Sequence, residues 1–250
     1  MRDPNEKRAA HEASEVRRTA CEVSDALDPI QLAEIIKSRQ TLKILGDPQQ
    51  PIQFSDHDLQ TGEAIVNAAI EAAGWAPFHY DRGIDGIAEP WRVHRLSAAT
   101  CRKLAIGLPQ WCNLKPGNKL PAMLAACGCL IIVNWIPQFR TASSVDEELT
   151  KEKQQEIDDE HLAATAAFVQ NLLLMLTASG LGTYWSSGGP LGSPAVFQRL
   201  GLDANQKLLA AVFVEFGNGE GPILDRLPGK NRELRSPSSA WSHQRLLNTN

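Results

Sequence analysis

The sequence predicts one large domain of mixed helix and strand, and three observations carry that expectation. Cys127 to Trp135 and Lys207 to Phe216 are short, β-rich and almost continuously apolar, as buried central strands are. Trp91-Arg92-Val93-His94-Arg95-Leu96 alternates, as a strand with one covered face does. Between the two apolar runs lies a helical pattern that is apolar nearly all round from Ala163 to Leu176, so it must be buried on several sides. With 250 residues, 43% of them hydrophobic and 22% charged, the chain can bury a substantial core.

Residues 1–29 read as a charged, flexible extension, and residues 30–250 as the ordered domain. Ile30, Leu32, Ile35 and Ile36 fit one face of a short helix. Lys37 to Lys43 then holds three cations and two hydroxyls. Arg39, Thr41 and Lys43 alternate, so an extended backbone would point them the same way, toward a phosphate. The same residues also fit a solvated basic helix end. Gly46 to Phe54 is a loop. Ser55, with Asp58 three residues on, is an N-cap for a helix through Ile65, Ala68, Ala69, Ala72 and Ala73, which Gly74 and Pro77 stop.

Trp75 to Pro90 is a long irregular loop, a kind that is often functional. Within it His79 sits among aromatics, either as a ligand contact or as a surface histidine. Ser97 caps a helix to about Ile106. Pro109 to Pro121 reads as a loop, whose Trp111 lines a pocket or covers the core. Asp146 to Glu160 carries eight acids, a solvated face leading into the long helix that ends at Gly180. Gly180 to Gly189 is a glycine-rich turn offering an aromatic face, Trp185, and two hydroxyls, Ser186 and Ser187. Ser193 to Leu200 forms a short helix. The tail from Gly217 is rich in Gly and Pro. It carries Arg226, Lys230, Arg232, Arg235 and Arg245, which return to an anionic ligand or lie on an acidic surface.

Several classes are disfavoured. A net charge of −4 gives no general attraction for nucleic acid. Five cysteines at irregular spacing are not a disulfide framework, which suggests a reducing compartment. Cys127-Gly128-Cys129 lacks a CxxC pattern or clustered histidines, so no metal site is expected. The first residues lack the apolar core of a secretory signal, and the stretch Leu162 to Leu176 is too short to span a bilayer. A cytoplasmic location follows as the expectation. Gly182 to Gly189 has no βαβ context for a Rossmann loop, and there is no nucleophile elbow.

Four stretches, in this order, resemble the nitroreductase family of flavin enzymes. Ser38-Arg39-Gln40-Thr41-Leu42-Lys43 is similar to that family's phosphate segment. Ala76-Pro77-Phe78-His79, followed by Glu89-Pro90-Trp91-Arg92, is similar to its loop and strand. Gly180-Leu181-Gly182-Thr183-Tyr184-Trp185-Ser186-Ser187-Gly188 is similar to its turn after the core helix. Lys207 to Gly217 is similar to its last strand, with a basic piece following. The likeness spans about residues 30–235.

This resemblance implies an α+β fold with a mixed, mostly antiparallel sheet flanked by helices. It also implies an intertwined homodimer with FMN at the interface. Arg39, Gln40, Thr41 and Lys43 would then hold the phosphate and ribityl chain, and His79 would approach from the partner subunit. Trp185, Ser186 and Ser187 would line the flavin, and Lys230 or Arg232 would close on the phosphate. NADH or NADPH would deliver hydride to flavin N5, and a nitroaromatic, quinone or similar acceptor would take the electrons, with no catalytic side chain required. Family chemistry also includes dehalogenation, ring dehydrogenation and flavin fragmentation, and a flavin-binding protein with little turnover is the alternative of another class. The chain departs from the pattern in several places. Gln40 and Thr41 replace Arg and Ser, Glu89 stands where Gln or Asn is common, and the loop Tyr80 to Ala88 is longer than in compact relatives.

Overall fold

Both faces of one strand decide the layering of this protein. A computed structural model describes residues 28–137, 150–217 and 219–244. The expectations for residues 1–27, for the loop 139–144, for the acidic stretch 146–149 and for Arg245 fall outside them. The chain divides into two compact units, Met1–Ser38 and Arg39–Asn250. In the first unit, helix α1 (Pro29–Ser38) starts where Asp28 Oδ1 accepts from the Ile30 N–H at 2.9 Å. Its Ile30, Leu32 and Ile36 are exposed.

In the second unit, strands β2 (Trp91–Ser97), β3 (Cys129–Trp135), β5 (Lys207–Glu215) and β4 (Gly182–Ser186) form an antiparallel sheet in the order β2-β3-β5-β4. Every residue of β3 is buried. Ile131 and Val133 enter one core cluster with Val66, Ala69 and Ala73 of α2 (Asp56–Ala73) and Phe168, Val169, Leu172, Leu173 and Leu176 of α5 (Lys151–Ala178). Leu130 and Ile132 enter a second cluster with Leu104 and Leu108 of α3 (Ala98–Trp111), Leu124 of α4 (Leu120–Ala126) and Val196 of α6 (Pro194–Leu200). An all-apolar strand run is what coverage on both faces demands. A two-stranded antiparallel ribbon pairs β1 (Leu42–Gly46) with β6 (Ile223–Pro228). Thr41 makes a parallel bridge to Thr183, which joins ribbon to sheet. The expected α+β architecture is therefore present.

The N-caps fall where they were read. The Ser55 side chain accepts from Asp58 N–H and that of Ser97 from Thr100 N–H. Three stretches differ from the sequence reading (the 109–121 loop, the glycine-rich turn and the tail), and Trp111 takes one of the two alternatives left open for it. Helix α3 continues past Ile106 to Trp111 with Pro109 inside it, and α4 begins at Leu120 with Pro121 in its first turn, so the expected 109–121 loop shrinks to its middle. Trp111 covers rather than opens: its ring fills the space where a Gly107 side chain would stand, under the Arg199 guanidinium at 4.6 Å. The first half of the glycine-rich turn is a strand, β4, and the tail contains another, β6. As read from the sequence, the acidic segment runs on into the apolar one, and helix α5 has 28 residues. Its length and composition would suffice to cross a bilayer, contrary to the expectation from 162–176 alone.

Phe216, just past β5, sits between two glycines. A Cβ on Gly128 would lie 2.3 Å from its ring, and one on Gly62 of α2 2.6 Å from it. Gly128→Ala is expected to destabilise the fold by about 1–3 kcal/mol through overpacking. Urea unfolding checks this, with an unchanged midpoint counting against the close approach.

Candidate functional site

The structure gathers most of the residues expected to bind a ligand at the ribbon side of the sheet. Arg39 and Gln40 precede β1; Arg39 is half-buried and Gln40 exposed. The bridge from Thr41 to Thr183 sets this segment beside β4, whose Trp185 lies at the free edge with 36% of its surface exposed. The C-terminal chain returns to the same place. Gly229 N–H donates to Thr41 O at 2.9 Å, and Arg232 Nη1 donates to Arg39 O at 2.9 Å. A Cβ on Gly229 would stand 2.9 Å from Thr41 Cβ, so the tail lies flush against the segment. Arg39, Thr41, Arg232 and the β4 edge thus form one neighbourhood from three distant parts of the chain.

Lys43 takes a different partner from the one its alternation suggested. Its ammonium lies over the Tyr184 ring, 4.5 Å from the centroid. A cation on an aromatic face is attracted by the ring quadrupole. Tyr184 was not singled out from sequence, because nothing local couples it to residue 43. Beyond β4, Ser186 Oγ accepts from Gly188 N–H at 3.1 Å, and Ser187 is exposed. Gly188 has φ 83°. Its missing side chain would meet Leu208 Cδ2 at 2.2 Å, so this corner admits only glycine. Lys230 lies in the exposed 3-10 segment Lys230–Leu234 together with Arg232.

His79 is not brought to this neighbourhood within one chain. Its neighbour Phe78 packs edge-on against Trp91 of β2 with centroids 5.7 Å apart. β2 and β4 are opposite edges of the sheet, separated by β3 and β5. Three strand spacings put those edges roughly 14 Å apart. His79 itself is exposed. Glu89 borders a cleft of about 390 Å³ with Glu71, Trp75 and Trp91, on the β2 side.

The loop carrying His79 is anchored by groups that sequence reasoning missed. Arg82 is buried and donates from Nε to Ile136 O at 3.1 Å and from Nη2 to Pro137 O at 3.2 Å. Its N–H donates to Ala88 O at 2.7 Å. Arg92 ties the same loop by donating to the carbonyls of Glu89, Trp91 and Ile84. Burial lowers the pKa of both guanidiniums. Such partners lie 54 and 55 residues away from Arg82, where no local pattern reports them.

Beside Arg82 stands His161 of α5, 1% exposed, with its ring edge-on to Tyr80 and neither ring nitrogen hydrogen-bonded among the described residues. Burial first, and the Arg82 charge second, lower its pKa; Asp158 and the nearby backbone of Tyr80 and Ile136 act less strongly the other way. The unfolded chain therefore takes up this proton before the folded one does. Stability is expected to fall as pH drops below the ordinary histidine value of about 6.5, until the folded-state pKa is passed. His161→Phe should reduce that loss, measured as the urea midpoint at pH 7.5 against pH 5.5. Equal losses in both proteins would assign the acid sensitivity to another group. Two buried thiols are held protonated: a hydrogen bond to Cys101 and burial raise Cys127 well above the ordinary thiol range, and burial pushes Cys129 up to about 12. Among the described residues no cluster of three or more His, Cys, Asp or Glu could hold a metal.

The sequence model of the Nitroreductase family matches residues 56–217. The chain belongs to this family. Among its relatives is the Bacillus subtilis (strain 168) protein "Putative NAD(P)H nitroreductase YfhC", 23% identical over 210 residues, covering 80% of this chain and 92% of the relative. The solved nitroreductase-like family protein from Bacillus cereus superposes with a TM-score of 0.56 at 20% identity, over 85% of this chain and 95% of that one. A solved Desulfovibrio desulfuricans chain in complex with FMN gives 0.51 at 20% identity, over 89% and 100%. These likenesses place this nitroreductase-family chain in the same fold as those solved proteins.

Proposed function

We propose that the chain is an FMN-dependent oxidoreductase that passes electrons from NADH or NADPH to electron-poor acceptors such as nitroaromatics and quinones, and that it works as a homodimer. The observation that carries this reading is the convergence of the 39–43 segment, the exposed edge of β4 and the returning Arg232 on one neighbourhood. The YfhC name includes NAD(P)H, and the Desulfovibrio desulfuricans structure contains FMN, which supports the choice of donor and cofactor.

The residues present fit FMN. Two guanidiniums, Arg39 and Arg232, with the Thr41 hydroxyl and the Gln40 amide, form a donor set suited to a dianionic phosphate on a ribityl chain. The half-exposed Trp185 indole, with Ser186 and Ser187, offers a flat apolar wall with polar atoms at its rim, as an isoalloxazine ring requires. Bound FMN would supply hydride and electron transfer at N5. The protein's part is then to orient the ring against β4, to hold the phosphate and to leave one face open to donor and acceptor in turn. His79, which lies toward the opposite sheet edge, would reach the ring from the partner subunit. Exposed apolar side chains support a second copy: Trp75, Met175 of α5, Leu224, Leu234 and Trp241 all stand in solvent in the single chain.

The absorption spectrum of the purified protein tests the cofactor. A flavin spectrum, bleached by NADH or NADPH without oxygen, is expected. A colourless protein that FMN does not stabilise would overturn the reading. Flavin that neither nicotinamide bleaches would leave a binding protein with little turnover.

A further inference from the structure

The sheet edge opposite the proposed flavin wall carries a cleft of about 390 Å³, within the range of small-molecule sites. Its lining runs from Glu71 and Trp75, at the end of α2, to Glu89 and Trp91, at the start of β2, and includes Phe168 of α5. Trp91 and Phe168 are 6% and 1% exposed, with ring centroids 5.3 Å apart. Phe78 packs edge-on against Trp91 from another side, so this aromatic part is fixed before any ligand arrives. Trp75 is the opposite case, with 86% of its surface in solvent.

Three features make this cleft attractive to positive charge. Glu71 and Glu89 both line it, and among the described residues neither carboxylate has a hydrogen-bond or salt-bridge partner. The Arg92 guanidinium acts on Glu89 from a distance, while its own donors go to the carbonyls of Ile84, Glu89 and Trp91. The cleft also borders the C-terminal end of the 18-residue α2, the negative end of its dipole, and the last turn of that helix has no basic residue. Aromatic faces add the negative side of their quadrupoles.

The geometry points to a binding site for an organic cation with an apolar body, of the quaternary ammonium class. The charge would be held by the Trp75 indole and the two carboxylates, and the apolar body would cover the aromatic lining. A quaternary ammonium carries no N–H and gives up its water readily to an aromatic face. An anion would meet two like charges. A neutral ring would strip water from the carboxylates without a compensating charge. A metal ion lacks ligands here, since no group of three His, Cys, Asp or Glu occurs among the described residues. The lining includes none of the residues assigned to FMN, so the site does not rest on the flavin reading.

The test is calorimetric titration of 3-hydroxyphenyltrimethylammonium into the full chain saturated with FMN, so that the flavin wall is occupied. Saturable binding of one cation per chain is expected, tighter than that of the neutral isostere 3-tert-butylphenol and weakening as sodium chloride is raised. Trp75→Leu changes a solvent-exposed side chain and keeps it apolar; it should weaken the cation by about tenfold. Glu71→Gln combined with Glu89→Gln keeps the size of both side chains and removes their charge. It should erase the preference over 3-tert-butylphenol. Absence of saturable binding, no preference for the cation in the unaltered chain, equal affinity in Trp75→Leu, or an undiminished preference in the double variant would each overturn the assignment. Trp75 also supports a second copy, and a protomer seated over the cleft would close it and give the first of these outcomes. If the protein takes up no FMN, the same titrations on the protein as purified still give these outcomes, so this site and the flavin reading fail separately.

Discussion

Arg39→Ala is expected to weaken FMN binding by about tenfold to a hundredfold and riboflavin binding far less. In the proposed site the guanidinium would make a charge-assisted contact to a phosphate that riboflavin lacks, an interaction of about 1.5–3 kcal/mol. Arg232 bonds the Arg39 carbonyl, not its side chain, so the substitution leaves the tail's anchor in place. The backbone bond from Gly229 to Thr41 also survives it. The loss should therefore appear in ligand affinity rather than in stability. Fluorescence titration of the two flavins into the variant measures it. Equal weakening of both would move the phosphate elsewhere.

Leu172→Ala is expected to cost about 2–5 kcal/mol of folding stability. Leu172 is 0% exposed and lies in the cluster where α5 meets β3, β5 and α2. The neighbours Phe168, Val169, Leu173 and Leu176 are as deeply buried, so the site is surrounded on all sides and has little room to collapse into the void. The measurement is urea unfolding with the slope monitored, since an altered slope would signal a change in the unfolded ensemble instead. A loss below about 1 kcal/mol would mean that the helix is not the centre of the core.

The difference between these two experiments reflects two kinds of legibility. The core was readable because burial on both faces of β3 leaves a mark in consecutive residues, Cys129 to Trp135. The role of α5 was readable from its apolar circumference. The N-caps at Ser55 and Ser97 were readable because the capping bond reaches only three residues along the chain. The neighbourhood proposed to hold FMN was legible in part. Arg39, Thr41, Trp185 and Arg232 were named from motif likeness, and the structure brings them together. Lys43 was read as pointing to a phosphate, yet its ammonium rests on Tyr184. Arg82 and His161 left no signal, because each acts through partners far away in the chain.

The sequence by itself determined the family and most of the order of helices and strands. These follow from periodicity, capping and short motifs, all of which act over a few residues. Only the tertiary structure decided that half of the glycine-rich stretch is an edge strand, that β6 pairs with β1, and that Arg232 meets Arg39 across 193 residues of chain. It also placed His79 at the far edge of the sheet, which is why the proposed site calls for a second copy. Strand pairing of this kind is set by which exposed backbone edges and apolar faces fit one another once the core has formed. No local run of residues carries that information.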